Sequence, residues 1–297
     1  MAKNFFKRYV WLIDTINRRG HISMQDISRC WENSSFNDDG KPMAERTFHN
    51  HREAILDMFG IEIKNDRTLG YYIDSEDIEG DAIKQWLLES LSMNNMVNEA
   101  GSLRERILFE TIPSSQKWLT PIVGAMKDGK AIQLTYQGYS SPEPSSFKAH
   151  PYCLKLFRQR WYLLARSEDE FLRIYALDRI HNVEELDIPL EMPEDFDGAD
   201  FFSRFFGVIV GVDVPVESVE LKVAASQVKY FRSLPLHPSQ KEIETTGEYS
   251  VFKYRLASTY DFMQEILSHG KEVEVLSPES LRDEVHAEIK EMLKRYD

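Results

Sequence analysis

The chain has 297 residues, of which 42% are hydrophobic and 12% aromatic, a balance that excludes a disordered or low-complexity protein and leaves room for two or three separate cores. Its net charge of −13 is unevenly spread: residues 182–297 carry 12 basic and 24 acidic side chains, whereas residues 128–181 are net +2, so a local basic face for an anionic partner stays open. No apolar run reaches about 18 residues, the N-terminal run is broken by Lys7, Arg8 and Asp14, and Cys30 and Cys153 are too few for a disulfide framework; no membrane span or secretory signal is expected, and a reducing cytoplasm fits best.

Three helices and a hairpin are predicted over residues 1–75. Phe6, Val10, Ile13 and Ile16 or Asn17 follow helical spacing, with Gly20 as a stop. "ISMQDISRCWENS" is a second, short helix that Ser23 can cap, with Asp26 three residues on. "MAERTFHNHREAILDMFG" is the third, with Phe48, His51, Ile55 and Met58 or Phe59 inward; "IEIKNDRTLGYYID" is a hairpin turning at Asn65-Asp66. Helix, helix, longer helix, hairpin is the order of a winged helix-turn-helix. Residues 76–128 read as a helical connector, 129–190 as five short strands forming a small barrel with "SSPEPSSF" as a loop, and 191–213 as a linker ending in a short helix. Residues 214–297 alternate strand, helix, strand, strand, helix, strand, helix. The fold class expected is α+β and multidomain.

The third predicted helix places Arg46, His49, Asn50 and Arg52 on its outer side, with Thr47 beside them and Lys41 at its start; Arg67 sits at the hairpin tip. These side-chain types contact phosphates and base edges when a helix lies in the major groove. His49 and His51 do not make a metal site, because residues two apart on a helix point roughly 200° from each other. No nucleotide-binding glycine loop, nucleophile elbow or zinc-protease helix is present, so no catalytic residue, cofactor or metal ligand is assigned and an enzyme is not expected. The remaining concentration of chemistry is five arginines in 22 residues, Arg158, Arg160, Arg166, Arg173 and Arg179, on two strands expected to pair. Arg173, Tyr175 and Leu177 share one strand face, with Arg179 just beyond. Guanidinium forks and tyrosine rings on one barrel surface suit a phosphate-bearing ligand; arginines kept for solubility are the alternative.

At "WYLLA" and "RIYALDRI" the sequence resembles a WYL domain, an Sm-like barrel named for Trp161-Tyr162-Leu163. Tyr136, His150-Pro151, Arg160, Arg173, Tyr175 and Asp178-Arg179-Ile180 agree with it. The segment "ERTFHNHREAI" resembles the recognition helix of bacterial WYL transcriptional regulators, and the C-terminal portion resembles their extension domain. One departure stands out: members often carry an Arg-Asp pair where this chain has Asn50-His51, so no operator sequence is carried over. The resemblance implies a cytoplasmic regulator, a repressor, that binds an inverted-repeat duplex operator as a homodimer. It also implies that the barrel senses an anionic ligand, a nucleotide or oligonucleotide, through Tyr136, His150, Arg160, Tyr162, Arg173, Tyr175 and Arg179. Two competing readings are an accessory protein whose barrel binds RNA or single-stranded DNA and modulates a partner enzyme, and an enzyme acting on nucleic acid with scattered catalytic residues.

Overall fold

Residues Met1–Glu110 and Thr111–Asp297 form two compact units. The computed structural model describes residues 2–34, 36–37, 40–74, 86, 89–90, 106, 115–211 and 214–297. Most of the connector expected over 76–128 therefore lies outside the described residues.

In the first unit, α1 (Ala2–Arg19), α2 (Met24–Glu32) and α3 (Glu45–Phe59) precede a hairpin of β1 (Ile63–Asp66) and β2 (Gly70–Ile73). Residues 10–16 of α1 are all buried, so α1 is enclosed by its neighbours rather than laid on them along one stripe. Asp14 tolerates this because Arg18, one turn on, reaches its carboxylate at 2.6 Å. The apolar spacing misplaced Phe6, which is half exposed beyond the end of that core. Trp11 meets Trp31 edge-to-face at 5.0 Å and Phe48 meets Tyr71 at 4.5 Å, tying α1 to α2 and α3 to the hairpin. Ser23 caps α2, its Oγ accepting from the Asp26 N–H at 3.1 Å and donating to the Asp26 carboxylate at 2.7 Å.

The hairpin turns later than its composition suggested. Asn65 and Asp66 are still paired with β2, and the turn is Arg67, Thr68 and Leu69. Asp66 Oδ1 accepts from the N–H groups of Thr68 and Leu69 at 2.7 and 2.8 Å, so the residue expected in the turn braces it from the strand end. Ile22 adds a third, one-residue strand by exchanging two hydrogen bonds with Tyr71. Gly70 makes this possible: at φ 92° it lies where L side chains are strained, and a Cβ there would stand 2.4 Å from the Ile22 carbonyl oxygen.

The second unit begins with α4 (Leu119–Lys127), which packs Ile122 and Ala125 into a five-stranded antiparallel sheet of order β6-β5-β4-β3-β7. Its strands are β3 (Lys130–Tyr136), β4 (Ser145–Phe157), β5 (Arg160–Ser167), β6 (Leu172–Ala176) and β7 (Ile180–Pro189). β4 starts inside the stretch expected to be loop, because Ser145, Ser146 and Phe147 pair with Tyr136, Thr135 and Leu134. The edges of this sheet, β6 and β7, are joined only by the 3-10 turn Leu177–Arg179. A flat sheet would hold them roughly 19 Å apart at about 4.8 Å per strand, beyond the roughly 14 Å that four backbone steps can span. The sheet has to curl into a barrel.

The linker's helix, α5 (Gly198–Phe202), sits in its middle rather than at its end, where Asp197 caps it. A four-stranded antiparallel sheet of order β11-β8-β10-β9 comes next. It comprises β8 (Val216–Ala224), β9 (Lys241–Thr245), β10 (Tyr249–Ala257) and β11 (Val273–Ser277). α6 (Ala225–Ser233), α7 (Tyr260–Ser268) and α8 (Glu279–Leu293) cover one face of it, burying Val219, Leu221, Phe252, Tyr254 and Val275 against Phe231, Phe262 and Leu281. Among the described residues, no helix is long and apolar enough to cross a membrane.

His51 supplies a pH test of the first unit. Its ring is buried edge-on against Phe5 and Tyr9 with Nε2 unpartnered, and burial, reinforced by the Arg8 charge, lowers its pKa from 6.5 to about 4. The folded state therefore excludes a proton that the unfolded chain binds, and stability falls as pH drops from about 6.5 to about 4. The expected loss is about 1–3 kcal/mol. Urea denaturation across that range should show it, and His51→Phe should flatten it.

Candidate functional site

On α3 the inward residues Phe48, His51 and Ile55 fix the helix rotation, and at 100° per residue this points Arg46 directly outward with Asn50 roughly 45° to one side of it. Both are exposed; Thr47, His49 and Arg52 are half-buried along the flanks. His49 is 3.8 Å from Glu45, and Lys41 is exposed before the helix, its carbonyl accepting from Asn37 Nδ2 at 3.0 Å. Farther along, the same outer stripe carries Glu53 and Asp57, also exposed. The outer stripe is thus basic and polar at Arg46 and Asn50 and acidic farther along, and in the first turn the exposed Glu45 faces His49. Arg67 is exposed at the hairpin turn.

In the barrel, the turn that joins its edges carries the most concentrated chemistry. Arg179 leaves this turn with its guanidinium 5.2 Å from the Tyr136 ring centroid and 4.3 Å from that of Tyr139. Asp178, its neighbour, forms an ion pair with Arg160, which opens β5, the strand next to the edge strand β6. Tyr162 lies two residues along β5 and feels the charges of Arg160, Asp178 and Arg179. Burial pushes the phenols of Tyr136 and Tyr162 up, opposed by Arg179 and Arg160 respectively, so both are neutral donors at physiological pH. Three polar atoms at this corner are buried without a hydrogen-bond partner: Arg160 Nε, Asp178 Oδ1 and Arg179 Nε. Such groups are costly to leave unsatisfied, and a bound ligand is one way to satisfy them.

The seven barrel residues singled out in the sequence do not converge on one pocket. Tyr136, Arg160, Tyr162 and Arg179 meet at the corner. Tyr175 is 5% exposed, packed edge-on against Tyr136 at 5.1 Å among the barrel's core residues, and Tyr136 is itself only 9% exposed. Tyr175 shares Arg173's strand face by alternation, but that face is exposed only at Arg173 and enters the barrel core at Tyr175, so neither ring is a free stacking platform. His150 and Arg173 lie toward the other end of β5, paired in register with Arg166 and Ala165, some six residues or roughly 20 Å from Arg160. There His150 Nδ1 accepts from the Glu191 N–H at 3.0 Å, and Glu191 also binds Arg166, so His150 anchors the linker. Arg173 grips the Asp169 carboxylate with both terminal nitrogens and reaches Ser167 Oγ at 2.6 Å; its hydrogen bond holds the Asp169 carboxyl well below the usual range.

Two participants escaped sequence reasoning. Tyr139, 81% exposed and close to both Arg179 and Arg160, sits in a loop where no periodicity marks it. Lys155 is the second, a strand residue that alternation alone does not distinguish. Its Nζ donates to the Gly207 carbonyl at 2.6 Å and lies 4.2 Å from the Phe202 ring; burial lowers its pKa against the pull of Asp261 on α7. Beside it, Phe157 meets Phe206 at 5.9 Å and Arg158 pairs with Glu265 of α7. The β4–β5 hairpin tip is therefore seated in the C-terminal domain. Its two turn residues, Arg158 and Gln159, adopt φ of 47° and 63°, a two-residue turn that ordinarily favours asparagine and glycine.

Comparison with known proteins identifies a WYL domain over residues 117–185 and a WCX domain over residues 215–293. Among solved structures, the proteasome accessory factor B/C of Arthrobacter aurescens is 17% identical with a TM-score of 0.36; the match covers 96% of this chain and 46% of that one, so this chain spans less than half of it. A CRISPR Cas-related protein is 14% identical with a TM-score of 0.40, over 86% of this chain and 74% of that one. No curated protein matches.

The two tyrosines flanking Arg179 should separate in their effects on stability. Tyr136→Ala removes a core ring and is expected to cost about 3–5 kcal/mol, whereas Tyr139→Ala removes one exposed cation–π contact, worth about 0.5–1 kcal/mol. Chemical denaturation of the two variants reads the difference.

Proposed function

From a chain that carries a WYL domain followed by a WCX domain, we propose a ligand-responsive DNA-binding transcriptional repressor whose barrel senses an anionic, phosphate-bearing ligand, a nucleotide or short oligonucleotide. The observation that carries the sensing half is Arg179, held between two tyrosine rings with no carboxylate partner among the described residues while Arg158, Arg160, Arg166 and Arg173 each have one. A guanidinium does not deprotonate in a protein, so its charge has to be met, and an incoming phosphate meets it with bidentate hydrogen bonds. Arg160 and Asp178 then act as a competing pair that a ligand can open.

The DNA half rests on Arg46 and Asn50, presented outward at the start of α3, with Arg67 on the hairpin. One such helix contacts too few base pairs for tight specificity, which favours a two-fold pair of chains reading an inverted repeat. α8 offers an apolar face for pairing: Ile289, Met292 and Leu293 are about half exposed beside a groove of about 480 Å³ that Val275 and Val285 also line. The hairpin tip seated on α7 gives a physical route between ligand and dimer, since Arg158 is two residues from Arg160.

Selection of duplexes from a random pool by the full-length chain should enrich an inverted repeat with half-sites about one helical turn apart, or a multiple of it. Arg46→Ala or Asn50→Ala should weaken that binding by about 1–3 kcal/mol and relax preference at single positions. Absence of any enriched duplex would sink the DNA reading and favour the accessory-protein reading. Arg179→Gln should leave operator binding intact and abolish its response to added single-stranded oligonucleotide. An unaltered response would place sensing elsewhere.

A further inference from the structure

The WCX domain holds a second basic concentration, separate from the arginines of the barrel. α6, α7 and α8 cover one face of its sheet, and on the opposite face Lys241, Lys253 and Arg255 line a pocket of about 610 Å³ together with Ser218 and Ser239. Lys253 of β10 stands directly opposite Lys241 of β9, and Arg255 lies two residues along the same strand, hence on the same face. Like charges directly opposite in an antiparallel pair destabilise a sheet. The region has 24 acidic side chains against 12 basic ones over residues 182–297, so carboxylates to separate these cations are plentiful.

Among the described carboxylates, one pairs with one of these three cations and its neighbours are deployed elsewhere. Glu220 reaches Lys253 at 3.1 Å. Glu242, next to Lys241 in sequence, is held by Arg232 through bonds of 2.7 and 2.8 Å, and Glu244 accepts from the Tyr249 hydroxyl. Lys241 and Arg255 form no ion pair with a described carboxylate, and Glu217 is the one acidic residue on the pocket wall. No aromatic ring faces the pocket: Tyr254, the one aromatic residue lining it, is 1% exposed, with its hydroxyl turned to Gln240. Ser239 Oγ is held by the Arg255 backbone and His237, so a ligand here would be gripped by charge and the Ser218 hydroxyl and not by base stacking.

We propose that this open sheet face is an anion site for a multivalent phosphate group, of the kind carried by inorganic pyrophosphate or by the phosphate chain of a nucleoside diphosphate. Adjacent strands set Lys241 and Lys253 roughly 5 Å apart and alternate residues set Lys253 and Arg255 roughly 7 Å apart, a spacing that spreads three donors over two linked phosphoryl groups. The site is distinct from the Arg179 corner and does not depend on DNA binding.

The test is isothermal titration of the full-length chain, without DNA, with sodium pyrophosphate and separately with ADP. It would use wild type, Arg179→Gln, and the double variant Lys241→Gln with Arg255→Gln. Saturable pyrophosphate binding is expected in wild type and in Arg179→Gln, weakened at least about tenfold per lost charge-assisted bond in the double variant. The double variant's melting temperature should not fall, because two repelling charges are gone. Equal affinity for ADP identifies the phosphate chain as the whole ligand, and tighter ADP binding identifies a nucleotide. Absence of saturable binding at millimolar pyrophosphate, or equal binding by the double variant, would overturn the site; binding lost only in Arg179→Gln would assign the anion to the barrel instead.

Discussion

Three residues between the two edge strands of the barrel constrain the shape of the sheet and the place of its charges. Leu177–Arg179 is too short to join β6 to β7 across a flat sheet, so the sheet must close, and closure puts Asp178 and Arg179 at the seam. Leu177 turns into the core there, which fixes the outward course of its two neighbours. Arg160 starts β5 beside that seam and is captured by Asp178. A polar corner of one acid, two arginines and surrounding tyrosines is thereby set by chain geometry before any ligand is considered.

Permanent charge explains how the rest of the barrel surface is arranged. Arginine keeps its proton, so each guanidinium near a low-dielectric surface needs a carboxylate, a ring or a ligand. Arg173 and Arg166 are closed off by Asp169 and Glu191, which makes them parts of the scaffold. Arg158 is paired with Glu265 on the WCX side, in a hairpin turn whose left-handed backbone is unfavourable for both of its residues. That pair, with Lys155 and Phe157, anchors the hairpin next to Arg160. A shift of Arg160 away from Asp178 would be felt across two residues by the contact between the two domains.

Local signals carried most of the architecture. Each strand of residues 129–190 and each element of residues 214–297 is visible in alternation and turn composition, because both sheets have one buried face and their connections are short. What failed did so where tertiary contacts override pattern. Helical spacing gave α1 an inward stripe, yet the helix is buried all round at residues 10–16 and Phe6 lies outside. Turn chemistry placed Asn65-Asp66 in the hairpin loop, whereas Asp66 stabilises the loop from the strand. At the site, the list of aromatic and basic residues was legible but their faces were not: curvature of the barrel takes Tyr175 inside and separates His150 and Arg173 from Arg160. Tyr139, Asp169 and Glu191 come from loops, where one sequence offers no periodicity to read, and Glu265 comes from a helix remote in sequence.

If Arg179 is kept without a carboxylate in order to meet the phosphate of a ligand, its charge must register in binding. The salt dependence of binding of a short single-stranded oligonucleotide to the full-length chain tests this most directly. Each phosphate contact made by a cation contributes roughly 0.7 to the slope of log K against log salt for single strands. Wild type should bind with a measurable negative slope, and Arg179→Gln should bind more weakly with a slope shallower by about that amount. Identical affinity and slope in the two proteins would contradict a sensing role and return Arg179 to that of a cation stacked on tyrosines for stability alone.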